Sequence, residues 1–112
     1  MSTHITDEQI QEVASSARPF SLAILRWGPD RFQEGADAIE LEHQRRMVGL
    51  RDDGTIAILS PVMSDTVSGV ALMSVPTEDA RRIMEGDPCI QAGMIEFDVY
   101  DCAAFPGDTV PG

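Results

Sequence analysis

Four strand-length apolar runs alternate with two longer stretches of helical spacing, and Gly, Pro or Asp groups punctuate almost every joint. Met94–Tyr100 carries the cleanest pattern, with Ile95, Phe97 and Val99 on one side and Glu96, Asp98 and Tyr100 on the other, the period of a half-buried strand. Phe20–Trp27 is apolar and aromatic and stops at Gly28-Pro29. Thr55–Leu59 ends at Ser60-Pro61, and Gly69–Val75 follows the polar loop Met63–Ser68. Such runs bounded by turn residues read as strands.

Between the first two runs, Ile39, His43, Met47 and Leu50 fall along one face of a helix that starts after Gly35 and reaches about Arg51. Asp52-Asp53-Gly54 closes it, glycine being suited to the left-handed conformation past a helix end. A second helix is predicted from a Thr77 cap, with Glu78 and Asp79 in the first turn where the helix dipole favours acids. It runs to Glu85 and stops at Gly86-Asp87-Pro88. A short helix over Asp7–Ala17, ended by Pro19, precedes the first strand, and Met1–Thr6 is expected to be a loose start.

The order is therefore helix, then β-α-β-β-α-β, an α+β chain with the split βαβ, ferredoxin-like arrangement. Right-handed crossovers would set the first two strands parallel with the third between them. Both helices then cover one sheet face and leave the other bare, which in 112 residues points to a homodimer. Residues 1–18 form an N-terminal extension with its short helix, 19–102 the ferredoxin-like domain, and 103–112 an irregular tail with Pro106, Gly107, Pro111 and Gly112.

Charge narrows the chemistry. The formal net charge is −11, and all eight basic residues are arginine. Without a lysine there is no Schiff-base catalysis, no covalent pyridoxal phosphate and no Walker-type phosphate loop. Neither residues 1–17 nor residues 83–112 contain a base, so the acidity sits mainly on the flanks of a nearly balanced, arginine-only centre. An acidic surface repels polyanions, so neither nucleic acid nor an anionic membrane is an expected partner. No apolar run reaches the roughly 18–20 residues of a membrane span, and no signal peptide is evident. Cys89 and Cys102 make neither a disulfide framework nor a CxxC metal pair. A cytoplasmic protein is the expectation.

His43 stands out among the candidates for chemistry. A histidine between Ile39 and Met47 is either a satisfied core residue or an acid/base group that needs an oriented partner. The expected topology brings Trp27, Ser60, Asp87 and the N-terminal half of the long helix to one end of the domain. Asp52 and Asp53 lie at the other end. Asp87 is thereby selected as the carboxyl group that could orient His43, its alternative role being a turn residue before proline. Ser60 is a ligand-binding hydroxyl or a strand-end turn residue. Trp27 is a pocket wall or a core residue. Arg45 and Arg46 either bind a ligand carboxylate or pair on the helix surface with Glu42 or Asp53. His4 is remote from any second ligand, and neither HExxH nor GxSxG occurs, so no metal and no serine triad are expected.

Glu42-His43, Gly54 eleven positions on, Ser60-Pro61, and Asp87-Pro88 with Ala92-Gly93 close behind together resemble the YCII-related domain over residues 20–101. The resemblance implies a dimeric α/β barrel of two ferredoxin-like halves set back to back, with a His-Asp pair as active site. Those roles would fall on His43 and Asp87. A few proteins of that family are dehydrochlorinases of chlorinated hydroxyaromatic rings, and most have no assigned reaction. This chain departs from the family in having Ser60 where glycine is common, and in its N-terminal helix and Pro/Gly tail.

The reading that follows is a small dimeric enzyme that needs no cofactor. His43 would act as general base or acid, Asp87 would orient it, and Trp27, Ser60 and Arg46 would contact a small organic substrate undergoing elimination or hydrolysis. The alternatives are a dimeric module that binds a small molecule or protein without catalysis and, less directly, a cofactor-free oxygenase of similar shape.

Overall fold

The computed structural model describes residues 4–112, and the expected loose start at Met1–Thr6 lies partly outside them. Eight elements follow in order: α1 (Asp7–Ser15), β1 (Arg18–Trp27), α2 (Ala36–Asp52), β2 (Ile56–Pro61), β3 (Val67–Met73), α3 (Thr77–Glu85), α4 (Pro88–Gln91) and β4 (Ile95–Ala104). The fold is α+β. Its four strands form one sheet in the order β2-β3-β1-β4, with every neighbouring pair antiparallel. β3 therefore lies between β1 and β2, which run parallel to each other, as the element order requires.

Register divides the sheet into two unlike faces. Ala23 sits opposite Ala71 on one side and Val99 on the other, and all three are buried, with Ser21, Leu25, Met73 and Ile95, in the layer beneath the helices. Met47 of α2 and Ala80 and Met84 of α3 close this core from above. Small alanines let the helices approach, and the flexible methionines fill the irregular space that remains. On the opposite face Leu22 aligns with Leu72 and Tyr100, and Ile24 with Val70 and Asp98. Ile58 and Tyr100 are exposed there, and Arg26 forms an ion pair with Asp98.

Several boundaries differ from the sequence reading for identifiable reasons. Pro19 was expected to end a helix, yet it belongs to β1 opposite Ala103. β3 pairs with β1 only as far as Ser21, so the missing proline N–H faces no neighbouring strand there. Ser60-Pro61 likewise continues β2, which is an edge strand where proline is tolerated. β3 begins at Val67, inside the expected loop, and β4 runs on to Ala104, into the expected irregular tail. Thr77 does not cap α3: Pro76 occupies that position with no side-chain hydrogen bond. The short α4, capped by Asp87 with Pro88 in its first turn, was not anticipated.

α1 is held by a capping box between Thr6 and Gln9 but buries none of its residues. Ile10 and Val13 are more than half exposed and face a shallow groove shared with Ile5 and Phe105. The radius of gyration is 16.4 Å, against about 13 Å for a compact domain of this length. Among the described residues no helix is long and apolar enough to cross a membrane.

Two glycines give opposite expectations. A Cβ on Gly28 would lie 2.4 Å from the Gly93 carbonyl oxygen, which Asp30 also uses as a hydrogen-bond acceptor. Gly28→Ala should therefore lower the unfolding free energy by about 1–3 kcal/mol. Gly49, inside α2 with open space around its missing side chain, should gain about 0.5–1 kcal/mol as alanine. Urea unfolding of the two variants checks both signs.

Candidate functional site

The sequence of α2 places Glu40, His43, Gln44 and Met47 on one face, one helical turn apart. Across from them α3 ends at Gly86 and the chain turns into α4. Gly86 leaves room for a guanidinium: a Cβ there would lie 2.9 Å from Arg46 Nη2. The next residue, Asp87, is fully buried and caps α4, its Oδ2 accepting the Cys89 backbone N–H at 3.0 Å. The same oxygen lies 2.7 Å from His43 Nδ1. An ionised carboxylate only accepts, so Nδ1 carries the proton of this bond and Nε2 is left free. His43 is 14% exposed at its side chain.

The other carboxyl oxygen, Oδ1, lies 3.8 Å from Arg46 Nη1. Both atoms are buried, and neither has a hydrogen-bond partner among the described residues. The expected surface pairings of Arg46 are thus replaced by a buried contact. Glu42 pairs with Arg45 instead, at 3.2 Å, while Asp53 accepts the Thr55 backbone N–H at 2.9 Å, and the side chain and then the backbone N–H of Thr55 hold its carboxyl below the ordinary range. Asp87 is both things the sequence left open, a cap before a proline-led helix and the partner of His43.

A cavity of about 450 Å³ opens beside His43, between α2 and the edge of the sheet. Trp27 and Leu25 line it from β1, Leu59 and Ser60 from β2, and Gly69 from β3. Trp27 is anchored at both ends: its indole N–H donates to the Ser64 carbonyl at 3.1 Å, and the Arg31 guanidinium stacks 3.8 Å from its ring centre. Of the residues singled out from sequence, His43, Trp27 and Ser60 share this cavity. Asp87 stands behind His43. Arg46 is not part of the lining, because Gly86 and Asp87 draw its guanidinium to the far side of α2.

Two neighbours escaped the sequence reading. Glu40 lines the cavity one turn before His43, and helical spacing puts it on the His43 face without marking that face as open. Cys89 is fully buried behind Asp87, and its signal, two residues after a helix-capping aspartate, is weak. Desolvation, then the charges of Asp87 and Glu40, push the Cys89 thiol up from 9.0 to about 12. One ligand atom each from His43, Asp87 and Cys89 falls within 4.8 Å of the others, a donor mixture that zinc accepts. His43 and Asp87 already bond to each other, however, and the Cys89 thiol holds its proton, so the geometry describes a hydrogen-bonded pair beside a buried thiol.

Compared with models of protein families and with curated proteins, the chain matches none.

The raised thiol sets an alkaline limit on stability. The unfolded chain releases the Cys89 proton near pH 9.0 and the folded chain near 12, so between these values the unfolded state binds fewer protons and gains on the folded one. The contribution is complete below pH 9 and is lost as pH rises toward 12. A Cys89→Ala variant should show a shallower alkaline fall in its urea midpoint. In the native protein at pH 8 only the partly exposed Cys102 should react with a thiol reagent, and both cysteines should react in urea.

Proposed function

We propose that this protein is a small acid/base enzyme that works without a cofactor, with His43 as the proton-transferring group and Asp87 as the residue that orients it. The carrying observation is the 2.7 Å contact between His43 Nδ1 and the fully buried Asp87 carboxyl, at the wall of a 450 Å³ cavity. A carboxyl behind a histidine fixes the tautomer and stabilises the imidazolium formed when the opposite nitrogen takes a proton. Here that nitrogen is Nε2. The reaction class is proton abstraction with elimination, or hydrolysis, on a small organic molecule seated between Trp27 and Ser60. The resemblance of Glu42-His43 and Asp87-Pro88 to the YCII-related pattern supports the same pair. Arg46, turned to Asp87, is read as a partner of that carboxyl and not as a substrate contact.

The test is a panel of activated esters and halogenated phenols. Turnover should fall by at least about 10²-fold in His43→Ala and by a comparable factor in Asp87→Asn, with the circular dichroism of both variants unchanged. Full activity in a folded His43→Ala variant overturns the assignment. Ligand binding in the cavity with no turnover of any substrate assigns the protein instead to non-catalytic small-molecule binding.

The working unit of this reading is a homodimer in which two ferredoxin-like protomers pair their bare sheet faces into an α/β barrel. Phe20, Leu22, Ile24, Val70 and Leu72 form an apolar band on that face, only half-buried in the single chain. The Arg26–Asp98 pair borders it. α1, which buries none of its residues, would add to the same assembly. Sedimentation equilibrium should give twice the chain mass for the native protein. Leu72→Lys, which plants a charge in the middle of the band, should give a monomer, and a native monomer rejects the dimer.

A further inference from the structure

Glu40 has no role in the His43–Asp87 pair, yet it shares their cavity. It lies one turn before His43 on the same face of α2, half-buried, and makes no ion pair among the described residues. Among the described residues it is also the one acidic residue of the cavity lining, which contains no arginine. Both arginines near the site are turned elsewhere. Arg31 stacks on the ring of Trp27, and Arg46 lies against Gly86 and Asp87. The remaining polar groups of the lining, among them Gln44, Ser60 and Ser68, are uncharged.

The local charge follows from these placements. Behind the cavity wall the carboxyl of Asp87 and the guanidinium of Arg46 oppose each other at 3.8 Å, and the Cys89 thiol keeps its proton up to about pH 12. Glu40 is what remains uncompensated, and it acts across a partly enclosed, largely apolar space where charges are screened less than in open water.

We propose that Glu40 is a specificity residue that closes this cavity to carboxylates and other anions and admits uncharged or cationic molecules with an apolar body. The inference rests on the cavity being the substrate site, as in the reading above, and it names the substrate class of that site. A ligand carboxylate finds no cation in the lining and meets Glu40 instead. An amide, alcohol or ammonium group finds the Glu40 carboxylate as an acceptor.

Benzamidinium, benzamide and benzoate have nearly the same size and shape and differ in charge, so they isolate this effect. Each would be titrated at pH 8 into isotope-labelled protein, following the indole N–H of Trp27, the single tryptophan, and the amides of Ser60 and Val70. Benzoate should bind at least tenfold more weakly than benzamide, and benzamidinium at least as tightly as benzamide. In Glu40→Gln the three should converge to within about threefold, and in Glu40→Arg the order should invert. Benzoate binding as tightly as benzamide to the native protein overturns the proposal, and so does an anion penalty that survives Glu40→Gln. If none of the three shifts the Trp27 indole, the cavity is not a ligand site and this inference falls together with the enzyme reading. If the charge order holds but the substrate panel shows no turnover, only the catalytic reading falls.

Discussion

The buried carboxyl group of Asp87 is the contact on which the rest of the arrangement turns. Placing a carboxyl where no water reaches it is costly unless hydrogen bonds and opposite charge replace its hydration. Three groups from two helices provide them: the Cys89 N–H from α4, His43 from α2, and the Arg46 guanidinium from the next turn of α2. Because His43 and Arg46 are three residues apart, they grip the carboxyl from neighbouring positions and fix the rotation of α2 about its own axis. Glycine at position 86 and proline at 88 make this possible, the first by clearing space for Arg46 and the second by starting α4 so that its cap is an aspartate.

The same tether accounts for the cavity. α2 fully buries one residue, Met47, and is held at its side by the Asp87 cluster. A helix fastened at its flank and packed through one deep residue need not close down on the far edge of the sheet, and the space left there, over Leu59 and Ser60, is the cavity. His43 faces both: Nδ1 belongs to the packing and Nε2 to the open side. Packing and proposed chemistry therefore use one hydrogen bond, and a change that loosens α2 would also misplace the imidazole.

Much of this was legible in the residues because the signals were local and redundant. The alternation of Ile95, Phe97 and Val99 fixed a strand and its inner face, and Ile39, His43, Met47 and Leu50 fixed the inner face of α2. Strand directions brought His43 and Asp87, residues 44 apart, to one end of the domain and made Asp87 a candidate partner, with a turn role before proline as its alternative. The misreadings arose where position in the sheet overrode local propensity. Pro19 and Pro61 read as breaks, but each lies where β-pairing is missing on one side. Arg46 could not be placed at all, because helical spacing offers it Glu42 and Asp53, and only the tertiary fold supplies Gly86 and Asp87. Glu40 was visible by spacing and passed over because nothing in sequence marks one glutamate on an acidic helix as facing a cavity.

The absence of lysine has a structural counterpart. Arg46 has one guanidinium nitrogen buried beside Asp87, Arg31 sits over the ring of Trp27 with Phe32 close by, and Arg26 pairs with Asp98 on the bare sheet face. An ammonium group is a poor substitute in the first two settings. It is more strongly hydrated, so burying it costs more, and it lacks the planar face that stacks on an indole. The gap of 3.8 Å between Arg46 and Asp87 adds a further point. Attraction persists at that distance without a directional hydrogen bond, so the guanidinium offsets the charge of the carboxyl while leaving its orientation to His43 and the Cys89 N–H. A tighter, two-pronged Arg46–Asp87 bond would compete with the imidazole for the same group. The looser contact keeps Asp87 aimed at His43, and in doing so leaves Glu40 as the charge that a ligand would meet.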